Sequence, residues 1–495
     1  MNSYEQWKAQ AASLSFPSQA YINGEFVPAV SGETFDCINP TTEALLTKVA
    51  SCDSADVDVA VAAAKKAFKS GVWSTMAPRE RKNIMLKWAQ LIEEHKDEFA
   101  LLDTLDMGKS ISEMVGIDIP DSIDCFRWTA EGIDKLYGEI APTGGPNLAL
   151  ISHEPIGVIA AITPWNYPLM MASWKVAPAL AAGNSVILKP SEKSPLSVLR
   201  LAELATQAGV PDGVFNVLPG FGHTAGKALA LHNDVQVIAF TGSSRVAGML
   251  MEYSGQSNLK RVWIEAGGKS PCLVFDDCED ITAAAKGAAS SIFTNQGEVC
   301  IACSRLYVQS GIKDKFMAAL IEAAKGYVAG DPLNPATNMG PMVDKTQLDT
   351  VTRFINSAQA DGATLVHGGV PEYQQGKGFY AKPTIFADAK NSMEFVREEI
   401  FGPVLAVATF ETEEEGVALA NDSKYGLGAA IWTSNLSRAH RVSRQLESGM
   451  VWVNTWGDGD STVPFGGVKA SGNGRDKSLH AMEKYTEVKN VWIRL

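Results

Sequence analysis

The segment Phe293-Thr294-Asn295-Gln296-Gly297-Glu298-Val299-Cys300 sets one cysteine behind a polar, glycine-containing turn at the end of an apolar helix. Upstream, Glu265-Ala266-Gly267-Gly268-Lys269 puts a carboxylate at the end of a strand, with two glycines after it. A thiol and a carboxylate, each placed where the backbone tightens, suit covalent catalysis. The sulfur attacks and the carboxylate later activates water. Cys300 and Glu265 are therefore the candidate nucleophile and base. Cys300 also opens a C-x-x-C with Cys303, so a redox disulfide and an inert core cysteine stand as alternatives. No second C-x-x-C and no nearby histidine cluster accompanies the pair, so no metal is expected.

Such groups need a rigid scaffold. Residues 57–70 and 79–104 have the Ala, Leu, Lys and Glu content and spacing of amphipathic helices. From residue 156 strands and helices alternate. The strands are Ile156–Thr163, Ser185–Leu188, Val214–Leu218, Val235–Phe240 and Arg261–Ile264; the helices are 169–182, 196–208, 224–231 and 244–254. Fully apolar strands in such a series predict a parallel sheet covered on both faces, with ligands beyond the C-terminal strand ends. A second alternating block follows from about 280 to 465. Its strands are 306–308, 405–410, 429–432 and 450–453, and its helices lie around 312–328, 343–360, 412–421 and 435–446. The glycine pair near 266–270 is a natural hinge between the blocks. Tyr485–Ile493 reads as a late strand that must pair with something else, often another subunit.

Several strand ends carry further chemistry. Gly220-Phe221-Gly222-His223-Thr224-Ala225-Gly226 has GxGxxxG spacing, not the GxGxxG of a dinucleotide fingerprint, and a plain tight turn explains it equally well. Phe240-Thr241-Gly242-Ser243-Ser244 ends a strand and opens a helix, whose free N–H groups suit a pyrophosphate or need only a serine cap. Lys189 and Glu192, three apart at a strand tip, can bind both hydroxyls of a ribose or can be a solvated pair. As a ribose site, Glu192 would repel a 2′-phosphate and favour NAD over NADP. Asn166, held in Pro164-Trp165-Asn166-Tyr167-Pro168, can donate to a developing oxyanion or stabilise a turn.

The chain has 495 residues, enough for two or three domains, with 46% apolar and 20% charged residues. A net charge of −13 without a basic run argues against nucleic acid. Seven scattered cysteines do not suggest a disulfide scaffold. Neither a signal peptide nor an apolar run of about 18 residues is visible, so no membrane partner and a cytoplasmic location are expected.

Taken together in order, these segments resemble the NAD(P)-dependent aldehyde dehydrogenase superfamily over nearly the whole length. Glu399-Ile400-Phe401-Gly402-Pro403, Pro464-Phe465-Gly466-Gly467 and Ser471-Gly472-Asn473-Gly474-Arg475 complete the match. The run from Ser471 to His480 looks closest to the γ-glutamyl-γ-aminobutyraldehyde and 4-guanidinobutyraldehyde dehydrogenases of polyamine and arginine catabolism. The resemblance implies an α/β fold with a Rossmann-like cofactor domain (1–130 and 152–264), a catalytic domain (265–470) and a small β flap (131–151 and 471–495) joining subunits into a homodimer or homotetramer. It implies Cys300 as nucleophile, Glu265 as base and Asn166 as oxyanion donor. It implies Lys189 and Glu192 at the adenosine ribose of NAD, with NADP as the alternative. Ser243, Gly242 and Trp165 would lie at the phosphates, and Glu399 and Phe401 at the nicotinamide ribose. Ala247, Ala266 and Cys303 depart from the usual glycine, leucine and glycine of relatives; Cys303 is a candidate disulfide partner for Cys300.

The chemistry then expected is attack on an aldehyde, hydride loss to the cofactor, a thioester on Cys300, and hydrolysis assisted by Glu265. A thiolate is required, so the Cys300 pKa should be depressed by nearby donors and cofactor charge. Asp118 and Asp121 match acidic positions at the substrate entrance of related aminoaldehyde enzymes. Tyr167, Trp174 and Trp456 match the tunnel wall, and Asp458 and Asp460 follow Trp456. Aromatic faces with carboxylates favour a cationic ω-amino, guanidino or quaternary-ammonium aldehyde; solvated loop acids are the plainer reading. Betaine aldehyde and plain aliphatic aldehydes remain alternatives. From other classes there remain a thiol redox sensor and a non-catalytic scaffold, and within enzymes a CoA-acylating relative.

Overall fold

A computed structural model describes residues 2–495. The first sheet has the strand order Arg261–Ala266, Val237–Gly242, Val158–Ile162, Ser185–Lys189, Phe215–Val217, Ala20–Ile22, Glu25–Val27. Its first five strands are parallel, and the last two add on antiparallel. Alternate residues of the central strands enter different cores. Ile159 and Ala161 pack with the helices Pro168–Ala181 and Leu196–Ala208, whereas Val158, Ala160 and Ile162 pack with the helix Ser54–Ser70. This double burial is why the strands are apolar on both faces.

The second sheet has the order Thr364–His367, Thr384–Ala387, Val404–Phe410, Arg305–Gln309, Pro271–Val274, Gly428–Trp432, Met450–Val453, parallel except for its first pair. The helix Ile281–Phe293 packs on one of its faces. The two sheets are joined by the short link between Ala266 and Pro271, which contains the glycine pair. Glu265 and Ala266 belong to the edge strand of the first sheet and pair with Thr241 and Gly242.

The late strand runs Thr486–Arg494 and pairs antiparallel with Asn147–Pro155 of the same chain over its whole length, beside Glu139–Ala141. Its partner is thus internal, and its outer edge stays open. The helix expected over 79–104 is two helices, Pro78–Glu94 and Lys96–Met107, broken at His95. No helix of the described residues is long and apolar enough to cross a membrane.

Candidate active site

The helix Ile281–Phe293 stops at Thr294, and Asn295, Gln296 and Gly297 follow with φ of 48°, 55° and 74°. Left-handed backbone costs a non-glycine residue roughly 1–2 kcal/mol, so this turn must be held from outside. Gln296 Oε1 accepts from Gly340 N at 2.9 Å, Glu298 Oε1 from Val343 N at 3.1 Å, and Asn295 Nδ2 donates to Asn166 O at 3.1 Å. A Cβ on Gly297 would overlap the backbone of Gly402, so only glycine fits there. The turn delivers Cys300, half-buried, into a cavity of about 730 Å³.

Glu265 reaches the same cavity from the end of the edge strand. That strand end is fastened by the C-terminal segment: Gly472 bridges Glu265, and Ser471 Oγ donates to Gly267 O at 2.7 Å. Gly267 and Gly268 allow the close approach. A Cβ on Gly268 would overlap the Cys300 carbonyl, and one on Gly267 would overlap the Glu399 carboxylate. Glu399 Oε1 accepts from Gly268 N at 3.0 Å. Asn166 Nδ2 donates one hydrogen to Glu298 O at 2.7 Å; its amide has a second hydrogen for an oxyanion.

The protein's own groups do not depress the Cys300 pKa. The Cys300 thiol is pushed well up, not down, by burial and then by Glu265 and Glu399. Two carboxylates and no cation face it, so the resting group is a thiol. Burial also raises Glu265 to about 8, against the opposing charge of Lys175, and Glu399 to about 7. Neither carboxylate oxygen of Glu265 has a protein hydrogen-bond partner among the described residues, as a base that handles water requires. Cys300 and Cys303 are both free, and Cys303 is turned to other neighbours. It is buried in the core beside Cys272, its Sγ donating to Pro271 O at 3.8 Å, which removes the support for a Cys300–Cys303 disulfide.

The cavity lining includes Trp165, Gly242, Ser243, Glu399 and Phe401. Phe401, with φ of 56°, meets the Trp165 ring edge-on at 5.3 Å, and Gln347 Nε2 holds its carbonyl at 2.7 Å. Ser243 caps the helix Ser244–Gln256. Lys189 and Glu192 lie 3.7 Å apart at the tip of a neighbouring strand, outside the cavity wall, with the Lys189 ammonium buried and bonded to Pro190 O at 2.8 Å. A thirteen-residue helix N-terminus and a Lys–Glu pair, both at the C-terminal edge of parallel strands, fit a dinucleotide.

The lining also contains Asp121, Tyr167, Trp174, Trp456 and Asp458, together with Asp460. Asp118 is a correction. It lies 1% exposed behind the wall, paired with Lys109 at 2.8 Å, and so does not face substrate. Lys109 sits 3.5 Å over the Tyr167 ring, so this buried pair buttresses the wall. Asp121 is there but not free: Lys477 Nζ donates to Oδ1 at 2.7 Å and Trp174 Nε1 to Oδ2 at 2.6 Å. Lys477 is the wall residue that sequence reasoning missed. It lies in a run of left-handed residues, Lys477 and Ser478, that no composition signal marks.

The aldehyde dehydrogenase family pattern matches residues 26–491. The NADP/NAD-dependent aldehyde dehydrogenase PuuC of Escherichia coli (strain K12) is 53% identical over 99% of this chain and 98% of its own. The crystal structure of gamma-glutamyl-gamma-aminobutyraldehyde dehydrogenase from Burkholderia cenocepacia J2315 is 52% identical, with TM-score 0.98 and both chains fully covered. A mutant of P. syringae AldA indole-3-acetaldehyde dehydrogenase, solved with NAD+ and IAA, is 55% identical with TM-score 0.99, again over both full chains. The chain therefore belongs to the aldehyde dehydrogenase family, an enzyme that oxidises aldehydes with NAD(P)+.

Proposed function

We propose that Cys300 is the nucleophile, Glu265 the base and Asn166 the oxyanion donor, acting on an aldehyde with a nitrogen-bearing far end. The observation that carries this reading is one cavity lined by a thiol, an unpartnered carboxylate, aromatic rings and further carboxylates. Cys300 gives its proton to cavity water, and the thiolate adds to the carbonyl carbon. The oxygen, now anionic, accepts from the second Asn166 N–H and the Cys300 backbone N–H. The bound dinucleotide supplies the hydride acceptor. The thioester left on Cys300 is hydrolysed by water that Glu265 deprotonates. A base beside the acyl group supports hydrolysis over transfer to CoA.

Lys189 and Glu192 suit the adenosine ribose, with Glu192 disfavouring a 2′-phosphate, so NAD is the favoured cofactor. The substrate class rests on Trp174, Trp456, Asp458 and Asp460 in the lining, and on the relative named for gamma-glutamyl-gamma-aminobutyraldehyde. Comparing kcat/KM for 4-guanidinobutyraldehyde, 3-aminopropionaldehyde, betaine aldehyde and hexanal tests it; a preference for hexanal rejects it. A second reading, an aromatic aldehyde, is favoured by the tryptophan walls and by the indole-3-acetaldehyde enzyme among the relatives. Indole-3-acetaldehyde belongs in the same panel.

The open edge strand exposes Val488, Val491, Trp492 and Ile493, which supports a homodimer or homotetramer built through this sheet; sedimentation of a Trp492→Glu variant tests that. Seven free cysteines support a cytoplasmic setting.

A further inference from the structure

The lining that suits a dinucleotide is drawn from both sheets. Trp165, Gly242 and Ser243 lie at or just beyond strand ends of the first sheet, whereas Glu399 and Phe401 precede Val404–Phe410 of the second. A dinucleotide seated there touches two units. Its affinity then depends on how firmly those units are held in place before it arrives, because a preorganised site has less ordering to do on binding.

The segment from Gly340 to Gln347 ties several of these parts together. Gly340 N and Val343 N donate to Gln296 Oε1 and Glu298 Oε1 of the thiol turn at 2.9 and 3.1 Å. Gln347 Nε2 donates to the carbonyls of Ile400 and Phe401 at 2.9 and 2.7 Å. Between them, Asp344 uses both carboxylate oxygens. Its Oδ1 accepts from Gln347 N at 2.8 Å and caps the helix Lys345–Ala360. Its Oδ2 pairs with Lys193 Nζ at 2.7 Å. Lys193 comes from the first unit, in the turn after Ser185–Lys189, and its ammonium also lies 5.2 Å from the Trp165 ring centroid. The next residue, Ser194, donates from its hydroxyl to Trp165 O at 3.2 Å. Trp165 in turn meets Phe401 edge-on.

Lys193, Asp344, Gln347, Phe401 and Trp165 thus close a ring of contacts that crosses twice between the units, once through an ion pair and once through two aromatic rings. Capping the helix needs only one oxygen of Asp344, and the other is spent on the first unit. Asp344 is the one carboxylate within ion-pair distance of Lys193 among the described residues. We propose that Lys193 and Asp344 are positioning residues for the cofactor. Their ion pair latches the first unit to the segment that holds the thiol turn and Phe401, and so keeps the dinucleotide cleft at its binding width. This rests on the cofactor placement proposed above and deepens it.

Two substitutions remove the charge and leave the rest. Asp344→Asn keeps a side chain that caps helices well, and Lys193→Met keeps an apolar stem beside Trp165. In each, the Kd for NAD and the dissociation rate of NADH should rise about threefold, the order of a partly exposed ion pair. The aldehyde KM and kcat at saturating NAD should stay near wild type. The double variant should be no worse than either single one, since all three lose the same bond. Lys193→Arg should bind NAD as the wild type does. Added salt should narrow the gap between wild type and Lys193→Met, because it screens a pair of this exposure. Unchanged NAD binding in either single variant, losses that multiply in the double variant, or an equal loss in Lys193→Arg overturns the proposal. Either single variant decides alone if the other does not fold. Trp165→Ala separates the latch from the cofactor placement. If it weakens NAD binding while the pair variants do not, only the latch falls. If NAD binding survives Trp165→Ala as well, the dinucleotide does not lie along this wall, and the placement falls with the latch.

Discussion

The carbonyl oxygen of Cys300 fills the space where a side chain on Gly268 would begin; a Cβ there would come closer than 3.0 Å to it. The end of one sheet therefore sets the position of a nucleophile that arrives from a helix packed on the other. Gly268→Ala must displace that carbonyl. An ångström-scale shift of an attacking group costs roughly 100-fold, so kcat should fall by about that factor while NAD binding holds. Steady-state rates and NAD titration check this; a wild-type kcat in Gly268→Ala would show that the contact does not place the sulfur.

Asn166 has one amide hydrogen engaged by Glu298 O and one to spare. Asn166→Ala should lower kcat by about 10²–10³, the usual cost of an oxyanion donor, with little change in NAD affinity. A loss of less than threefold would assign Asn166 to the turn alone.

Burial raises Glu265 from its ordinary 4.5 to about 8. A base must be unprotonated, so thioester hydrolysis should accelerate as pH rises through about 8, and Glu265→Gln should lack that limb. The same shift has a stability consequence. Between 4.5 and about 8 the folded chain holds a proton that the unfolded chain has released, so stability from this group is lost as pH rises across that window. Wild-type Tm should thus fall more steeply than that of Glu265→Gln between pH 5 and pH 8. Parallel Tm profiles would place the group in a wetter setting than the structure does.

Glu192 would face a 2′-phosphate on the adenosine ribose. Glu192→Gln should raise kcat/KM for NADP by about tenfold, the order of one nearby charge repulsion, and leave NAD within a few-fold. No gain with NADP would move the ribose away from this residue.

Much of this was legible in the chain because the physics is local. Val158–Ile162 and Ser185–Lys189 are apolar at every position because both faces are covered, and that leaves a plain trace. The thiol follows a turn in which only glycine fits at 297, and the carboxylate precedes a glycine pair where a side chain would overlap Glu399 and the Cys300 carbonyl. Pro271–Val274 gave no such trace: four residues opening on proline are too short for a pattern. The break at His95 was hidden because amphipathic spacing continues across it. The direction in which the protein's own groups push the thiol was hidden because it comes first from burial and then from Glu265 and Glu399, which lie 35 and 99 positions away in sequence. Asp118 was misplaced for a similar reason, since its partner Lys109 lies beyond a π-helical turn, Met114–Asp118. A carboxylate reads the same in sequence whether it faces a cavity or a buried lysine.

The most direct test is the intact mass of Glu265→Gln after mixing with NAD and a nitrogen-bearing aldehyde. The enzyme should gain one acyl group per chain, mapped to Cys300 by peptide analysis, with about one NADH released per site; Cys300→Ala, mixed in parallel, should bind NAD and gain nothing. An unmodified Glu265→Gln chain that still releases one NADH per site, or full turnover by Cys300→Ala, would contradict covalent catalysis at this sulfur.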